Sequence, residues 1–230
     1  MCEISMNKNN KLVSLIIPTL NEEDKIGDLL DSILKQDYKP IEVIIVDGGS
    51  TDNTLKIINE YMARIKSERI AGIHINVIDE RAYPGPLGTG HAFNIGISNS
   101  HGKYVFILAS DFVLIERDFI SKVVKALNNY PCIAVKVIPI IDTFLEEQLA
   151  MDDYDKEYKS NVHLYAAFDR DILLKVNFDE SLSVGEDYDL LFRLPIKPIL
   201  IDAYIGRHFP HTIKEYICLL YTSPSPRDRG

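Results

Sequence analysis

The 230-residue chain predicts an α/β fold with a mostly parallel central sheet and helices on both faces. Three observations carry that expectation. Short, nearly all-apolar runs recur at 12–17 (LVSLII), 41–46 (IEVIIV) and 104–109 (YVFILA), as strands buried on both faces do. The segments between them place apolar residues at helical spacing. Finally, 46% apolar residues in a chain this long suffice for a real core, which excludes a disordered chain and a disulfide-stapled miniprotein.

Taken in order, the first strand ends at Pro18, and Asn21 can cap the next helix, with Asp24 three residues on as a weaker capping box. Ile26, Leu29, Leu30, Ile33 and Leu34 share one face of that helix. The β-branched second strand follows Pro40. A turn at 48–54 leads to a second helix with Leu55, Ile58, Tyr61, Met62 and Ile65 inward. Residues 74–78 read as a third strand, 83–90 as a Gly/Pro-rich loop, 92–97 as a short helix and 104–109 as the fourth strand. The second half is less regular. It offers a helix at 118–127, one strand or two broken at Pro139 over 133–141, and a polar amphipathic helix at 142–158. A segment at 161–168 runs into a loop, and a late strand spans 199–205. Without repeats or a linker, one domain is expected over 1–217, its nucleotide-sized first half at about 10–111 and its irregular half at about 112–217.

After an amphipathic piece at 211–217, residues 218–230 (CLLYTSPSPRDRG) lose all periodicity. LLYTSPSPRD resembles translated sequencing-adapter DNA, so this stretch is read as a non-native tail and the native chain is expected to continue differently past 217. The 34 acidic and 25 basic residues are unclustered, which argues against a nucleic-acid partner and leaves a metal or a small anionic ligand open. Cys2, Cys132 and Cys218 form neither a pairing pattern nor a metal-ligand spacing, as in a reducing compartment. No apolar run approaches the roughly 18 residues of a membrane span.

Ligands of open parallel sheets bind at the carboxyl ends of strands. Three polar clusters fall there: Pro18-Thr19-Leu20-Asn21-Glu22-Glu23, Asp47-Gly48-Gly49-Ser50-Thr51-Asp52 and Ser110-Asp111. Each alone is ordinary cap and turn chemistry, but three after neighbouring strands suggest a site. Asp47 can accept a hydrogen bond from a base edge, and Gly48 and Gly49 let a ligand approach the backbone. Asp111 is a hard oxygen donor suited to Mg²⁺ or Mn²⁺ on a diphosphate. Neither the dinucleotide glycine pattern nor a P-loop is present. Downstream, Glu186 and Asp187 open a helix whose stripe is Leu190, Leu191 and Leu194. They suit either the helix dipole or a carboxylate pair in which one member takes a proton.

The strings SLIIPTLNEEDKIGDLLDSI and IEVIIVDGGSTDNTLKII, then GTGHAFNIGI and GKYVFILASD, then VNFDESLSVGEDYDLLFRL resemble glycosyltransferase family 2, which has the GT-A fold. The resemblance covers about residues 12–210. It implies inverting transfer of a sugar from a nucleotide-sugar donor to a hydroxyl of a saccharide or lipid-linked acceptor. Pro18, Thr19 and Glu22 would line the nucleoside pocket with Gly49, Ser50 and Ser110, and Asp47 would hold the base. Asp111 would coordinate Mg²⁺ or Mn²⁺. Asp187 would be the general base, Glu186 would orient that region, and Arg193 would locate the helix or meet negative charge. The family implies cell-envelope work, in the cytoplasm or peripherally at the cytoplasmic face of a membrane, with an anchor open to the full-length protein.

Three departures stand out. Ala109-Ser110-Asp111 lacks the first aspartate of the family's metal motif, and Phe93 stands where an arginine is common. His208, after Arg207, falls where some relatives supply a histidine to the metal or diphosphate; His211 and His91 are weaker candidates. A non-catalytic nucleotide-sugar binder is therefore the alternative, and a UDP-, GDP- or dTDP-sugar all remain open as donor. A sugar-phosphate nucleotidyltransferase would want a Gly- and Arg-rich loop after the first strand, which PTLNEE is not.

Overall fold

In the computed structural model, which describes residues 10–140, 166–182 and 185–208, the apolar runs become neighbouring strands. Strand β1 (Val13–Thr19) lies between β2 (Ile41–Asp47) and β4 (Tyr104–Ile107), parallel to both, and β3 (Ile73–Asp79) is parallel to β2. The chain therefore winds outward from β1 to β3 and returns to β4 on the other side of β1. Such a reversal opens a crevice at the carboxyl ends of β1 and β4. The second half extends the same sheet: β7 (Ala166–Asp169) runs antiparallel to β4 and to β6 (Cys132–Ile140), β8 (Ile199–His208) is parallel to β6, and β5 (Phe112–Val113) pairs antiparallel with β8.

Helices cover both faces because each carries one apolar stripe. On one face α1 (Ile26–Leu34), α2 (Thr54–Ser67) and α4 (Phe119–Leu127) pack on Leu15, Val43 and Phe106, where Phe119 stacks on Phe106 at 5.4 Å. On the other face α3 (Thr89–Ser98), α5 (Arg170–Val176) and α6 (Glu186–Arg193) pack on Ile16, Ile44 and Val105. Gly96 lets α3 approach β1, since a side chain there would run into Ile16. Among the described residues, no helix is long and apolar enough to cross a membrane.

Several expectations are corrected. β1 does not stop at Pro18 but runs through it to Thr19 beside β2; the ladder to β4 ends at Ile16, so the missing N–H faces a side with no strand to serve. Asn21 does not cap α1: it sits at φ 54° and its side chain serves the next loop instead. Pro139 does not break β6, which runs through it to Ile140 with Pro139 opposite Arg207 of β8; among the described residues the ladder to β7 ends at Ala134. The expected loop near 168 is strand β7 followed by α5, capped by Asp169 accepting from the Asp171 N–H at 3.1 Å. The two-residue β5 was not anticipated. The expected helix at 142–158, residues 161–165, His211 and the 218–230 stretch lie outside the described residues.

At the amino ends of the strands a polar cluster joins β1, β2 and the turn before β4. Ser14 Oγ donates to Glu42 Oε2 at 2.6 Å, the His101 N–H donates to the same oxygen at 2.9 Å, and His101 Nδ1 lies 2.8 Å from Oε1. Burial by itself raises the Glu42 pKa, but these partners outweigh it and hold the carboxyl below the ordinary glutamate value. A carboxylate with a depressed folded pKa contributes stability above its unfolded pKa, and that contribution is lost as pH falls through the folded one. Glu42→Ala should therefore cost about 1–3 kcal/mol near neutrality. It should also flatten the acid limb of a urea-denaturation series below about pH 5, where the unfolded carboxyl begins to take up its proton. An unchanged acid limb would show that the cluster does not report on folding.

Candidate active site

The loops after β1 and β2 are interlocked by their polar side chains. The Asn21 N–H donates to Ser50 Oγ at 2.9 Å, the Thr51 N–H to Asn21 Oδ1 at 2.8 Å and the Glu22 N–H to Thr54 Oγ1 at 2.8 Å. The Glu23 N–H donates to Asp52 Oδ2 at 3.1 Å, and Glu23 Oε2 accepts from the Asn53 N–H at 2.8 Å. Asp47 is buried, and its carboxylate accepts from the Gly49 N–H at 3.0 Å, the Ser50 N–H at 3.0 Å and the Ser50 hydroxyl at 2.5 Å. Asp47 and Ser50 thus shape the loop that Gly49 turns.

Between these loops and α3 lies a cavity of about 380 Å³, within the usual range of small-ligand pockets. Of the sequence-predicted residues, Pro18, Thr19, Glu22 and Ser110 line it; Asp47, Gly49 and Ser50 do not, although their neighbour Gly48 does. Thr19 is buried, yet its Oγ1 has no hydrogen-bond partner among the described residues. Phe93 also lines the cavity, with its ring stacked on Phe178 at 4.8 Å, so it serves the core where an arginine would carry charge. Burial pushes the Glu22 pKa up and the charge of Asp111 adds to this, against Lys25 and a hydrogen bond with Ser110. Sequence reasoning missed Glu80, which is buried against the cavity and accepts the Gly88 N–H at 2.8 Å. Its signal was available, since Glu80 follows the end of β3.

Asp111 lies beyond Ser110 at the end of this wall. Its Oδ2 accepts from Arg207 Nε at 3.0 Å, whereas its Oδ1 is buried with no partner among the described residues. Arg207 reaches it because β8 pairs with β5, which sets Arg207 opposite Phe112. The same pairing lets the His208 N–H donate to the Asp111 carbonyl at 2.9 Å, while the His208 imidazole turns to Asp28, 3.3 Å away. His208 borders a larger groove of about 1160 Å³ beside α1 that holds no other predicted site residue. Among the described residues, no three His, Cys, Asp or Glu side chains gather as a metal cage. The orphaned Asp111 oxygen, with the Glu22 carboxyl near enough to feel its charge, fits a cation that draws its remaining oxygens from a ligand.

Glu186 and Asp187 stand in the first turn of α6, where helix N–H groups favour negative charge. Gly185 starts the helix at φ 77°, a conformation that suits glycine. Burial raises the Glu186 pKa, and the charge of Asp187 adds to it. Asp187 Oδ1 accepts the Tyr188 N–H at 2.8 Å. Arg193 locates the helix: its Nη1 and Nη2 donate to the carbonyls of Val176 and Asn177 at 2.7 and 2.9 Å, and it pairs with Asp189. Leu190 and Leu194 share a core with Ala92 and Phe93, which wall the cavity, so α6 is packed onto the first half of the domain.

Sheet order, interlocked loops and strand-end cavity define a GT-A-type protein. Residues 14–173 match Glycosyl transferase family 2, and the chain belongs to that family. It is 26% identical over 235 residues to a dolichyl N-acetyl-alpha-D-glucosaminyl phosphate 3-beta-D-2,3-diacetamido-2,3-dideoxy-beta-D-glucuronosyltransferase of Methanococcus voltae, covering 89% of this chain and 69% of that protein. Among solved structures, the mannosyltransferase PcManGT of Pyrobaculum calidifontis, in complex with GDP-Man and Mn²⁺, superposes with a TM-score of 0.67 at 21% identity over 91% of this chain. S. aureus TarS 1-349 in complex with UDP-GlcNAc gives 0.66 at 18% identity over 88%. Both share the fold. The chain spans 60% of each of these two solved chains, and about a third of several other curated relatives it matches.

Proposed function

We propose that this domain transfers a sugar from a nucleotide-sugar donor to a hydroxyl of a saccharide or lipid-linked acceptor, with inversion at the anomeric carbon. The observation that carries the reading is the strand-end cavity lined by Pro18, Thr19, Glu22 and Ser110, with the unpartnered Thr19 hydroxyl in its wall and the orphaned Asp111 oxygen beside it. The nucleoside diphosphate occupies this cavity, and the loop shaped by Asp47, Gly49 and Ser50 reads the base. Asp111 holds Mg²⁺ or Mn²⁺, which when bound supplies positive charge for the departing diphosphate.

Asp187 takes the proton of the acceptor hydroxyl as its oxygen bonds to the anomeric carbon and the bond to the diphosphate oxygen breaks. Glu186 keeps the region oriented beside the base. GDP-Man and UDP-GlcNAc in the two structural relatives make both bases reasonable donors to try. The work falls in the cytoplasm or at the cytoplasmic face of a membrane.

A non-catalytic nucleotide-sugar-binding role is the second reading, favoured by Ala109 and by the Arg207 guanidinium already on Asp111. The two separate on donor consumption. With UDP-GlcNAc or GDP-mannose and Mn²⁺, the catalytic reading expects release of the nucleoside diphosphate above the protein-free rate; binding without release would favour the second.

A further inference from the structure

The two halves of the site meet at one carboxylate. Glu180 Oε1 accepts from Asn94 Nδ2 at 2.8 Å, and its Oε2 lies 2.9 Å from His91 Nδ1. A carboxylate only accepts, so the facing His91 nitrogen carries its proton on Nδ1. Asn94 is fixed at both ends, because it also donates to the Phe178 carbonyl at 3.0 Å and accepts the Phe178 N–H at 2.8 Å. His91 is buried, with Nε2 unpartnered among the described residues. Its ring lies under Gly85, where a side chain would run into the imidazole. It is thus wedged between Glu180 and the loop whose Leu87 and Gly88 border the cavity. On the opposite side of the same segment, Arg193 ties the Val176 and Asn177 carbonyls to the end of α6.

We propose that Glu180 is a positioning residue: gripped by His91 and Asn94 of α3, it fixes where α6 presents Asp187 relative to the donor cavity. The proposal rests on Asp187 being the base and deepens that reading. Apolar packing between Leu190, Leu194 and α3 brings the helices together but tolerates sliding, whereas two directed hydrogen bonds on one carboxylate set a register. A small misplacement of a catalytic group costs on the order of 10²-fold in rate.

The test compares the whole chain as wild type, Glu180→Ala, Glu180→Gln and Asp187→Asn in three measurements. These are UDP and GDP affinity, Mn²⁺-dependent hydrolysis of UDP-GlcNAc and GDP-mannose, and hydrogen exchange of peptides spanning 185–194. Glu180→Ala should lower kcat for hydrolysis about 10²-fold, leave nucleotide affinity unchanged and speed exchange in 185–194. Glu180→Gln should restore much of both, because its amide oxygen still accepts from Asn94 and its NH₂ can donate to the other His91 tautomer. A merely structural role would weaken nucleotide binding together with kcat and would not be rescued in this way.

Wild-type exchange and hydrolysis in Glu180→Ala would overturn the proposal. If Asp187→Asn hydrolyses as fast as the wild type while Glu180→Ala still loosens 185–194, the base assignment fails and the anchoring of α6 stands. Should no protein hydrolyse either donor, exchange decides alone. If Glu180→Ala does not fold, His91→Phe, which fills the ring's space and removes only its bond, carries the same measurements.

Discussion

Replacing Asp187 by Asn is expected to lower kcat for sugar transfer, or for donor hydrolysis when water is the acceptor, by about 10²- to 10⁴-fold. The substitution keeps the size of the side chain and an oxygen that can still accept the Tyr188 N–H, so the first turn of α6 is preserved. Only the capacity to take a proton is lost. Since Asp187 is not among the residues lining the donor cavity, UDP or GDP affinity should stay within a factor of about two, well inside the tenfold that corresponds to about 1.4 kcal/mol. Steady-state kinetics with calorimetric titration of the nucleotide separates the two effects. A variant that hydrolyses donor as fast as the wild type removes Asp187 from the chemistry.

Asp111→Asn should lower Mn²⁺ affinity in the presence of nucleotide by at least about 10- to 100-fold, the range that loss of mere supporting contacts to a metal ligand already produces. The side chain keeps its shape, and its amide oxygen can still accept from Arg207, so the β5–β8 junction should hold and the thermal midpoint should move little. The negative charge that attracts a hard dication is lost. With Ala109 where a second carboxylate would stand, no neighbour in that motif compensates. Free Mn²⁺ followed by electron paramagnetic resonance during a titration with UDP or GDP reads this directly. Equal Mn²⁺ affinity in variant and wild type would exclude Asp111 as the metal's ligand and favour Arg207 as the diphosphate's counter-charge.

The strands and most helices were legible because their signals are local: a run of β-branched residues, or an apolar stripe at helical spacing. So were the loops at 18–23, 47–52 and 110–111, which follow from the strand positions and the rule that ligands gather at strand ends. What escaped depends on partners remote in sequence. Pro18 looks like a strand breaker until the ladder to β4 is seen to end at Ile16, and Pro139 until β6 is seen to run on beside β8 with Pro139 opposite Arg207. Asn21 looks like a helix cap, but the loop after β2 offers its side chain a better partner in the Thr51 N–H. Asp111 reads as an unencumbered ligand, whereas β8 brings Arg207 to it from nearly the other end of the domain. Glu180 was visible only within the string VNFDESLSVGEDYDLLFRL, and its grip by His91 and Asn94 exists only once α3 and the 176–182 segment meet. Asp47 shows the reverse: the residue was legible, but its three bonds to Gly49 and Ser50 give it a shape-setting task that composition could not reveal.

In the proposed reading, the cavity at the ends of β1, β2 and β4 takes up the nucleoside diphosphate of a sugar donor. Isothermal titration of the whole chain with UDP, GDP and dTDP, with and without Mn²⁺, measures that uptake. Saturable binding of at least one of them at a single site is expected, strengthened by Mn²⁺ in the wild type and not in Asp111→Asn. Absence of binding by all three, with and without the metal, would contradict it.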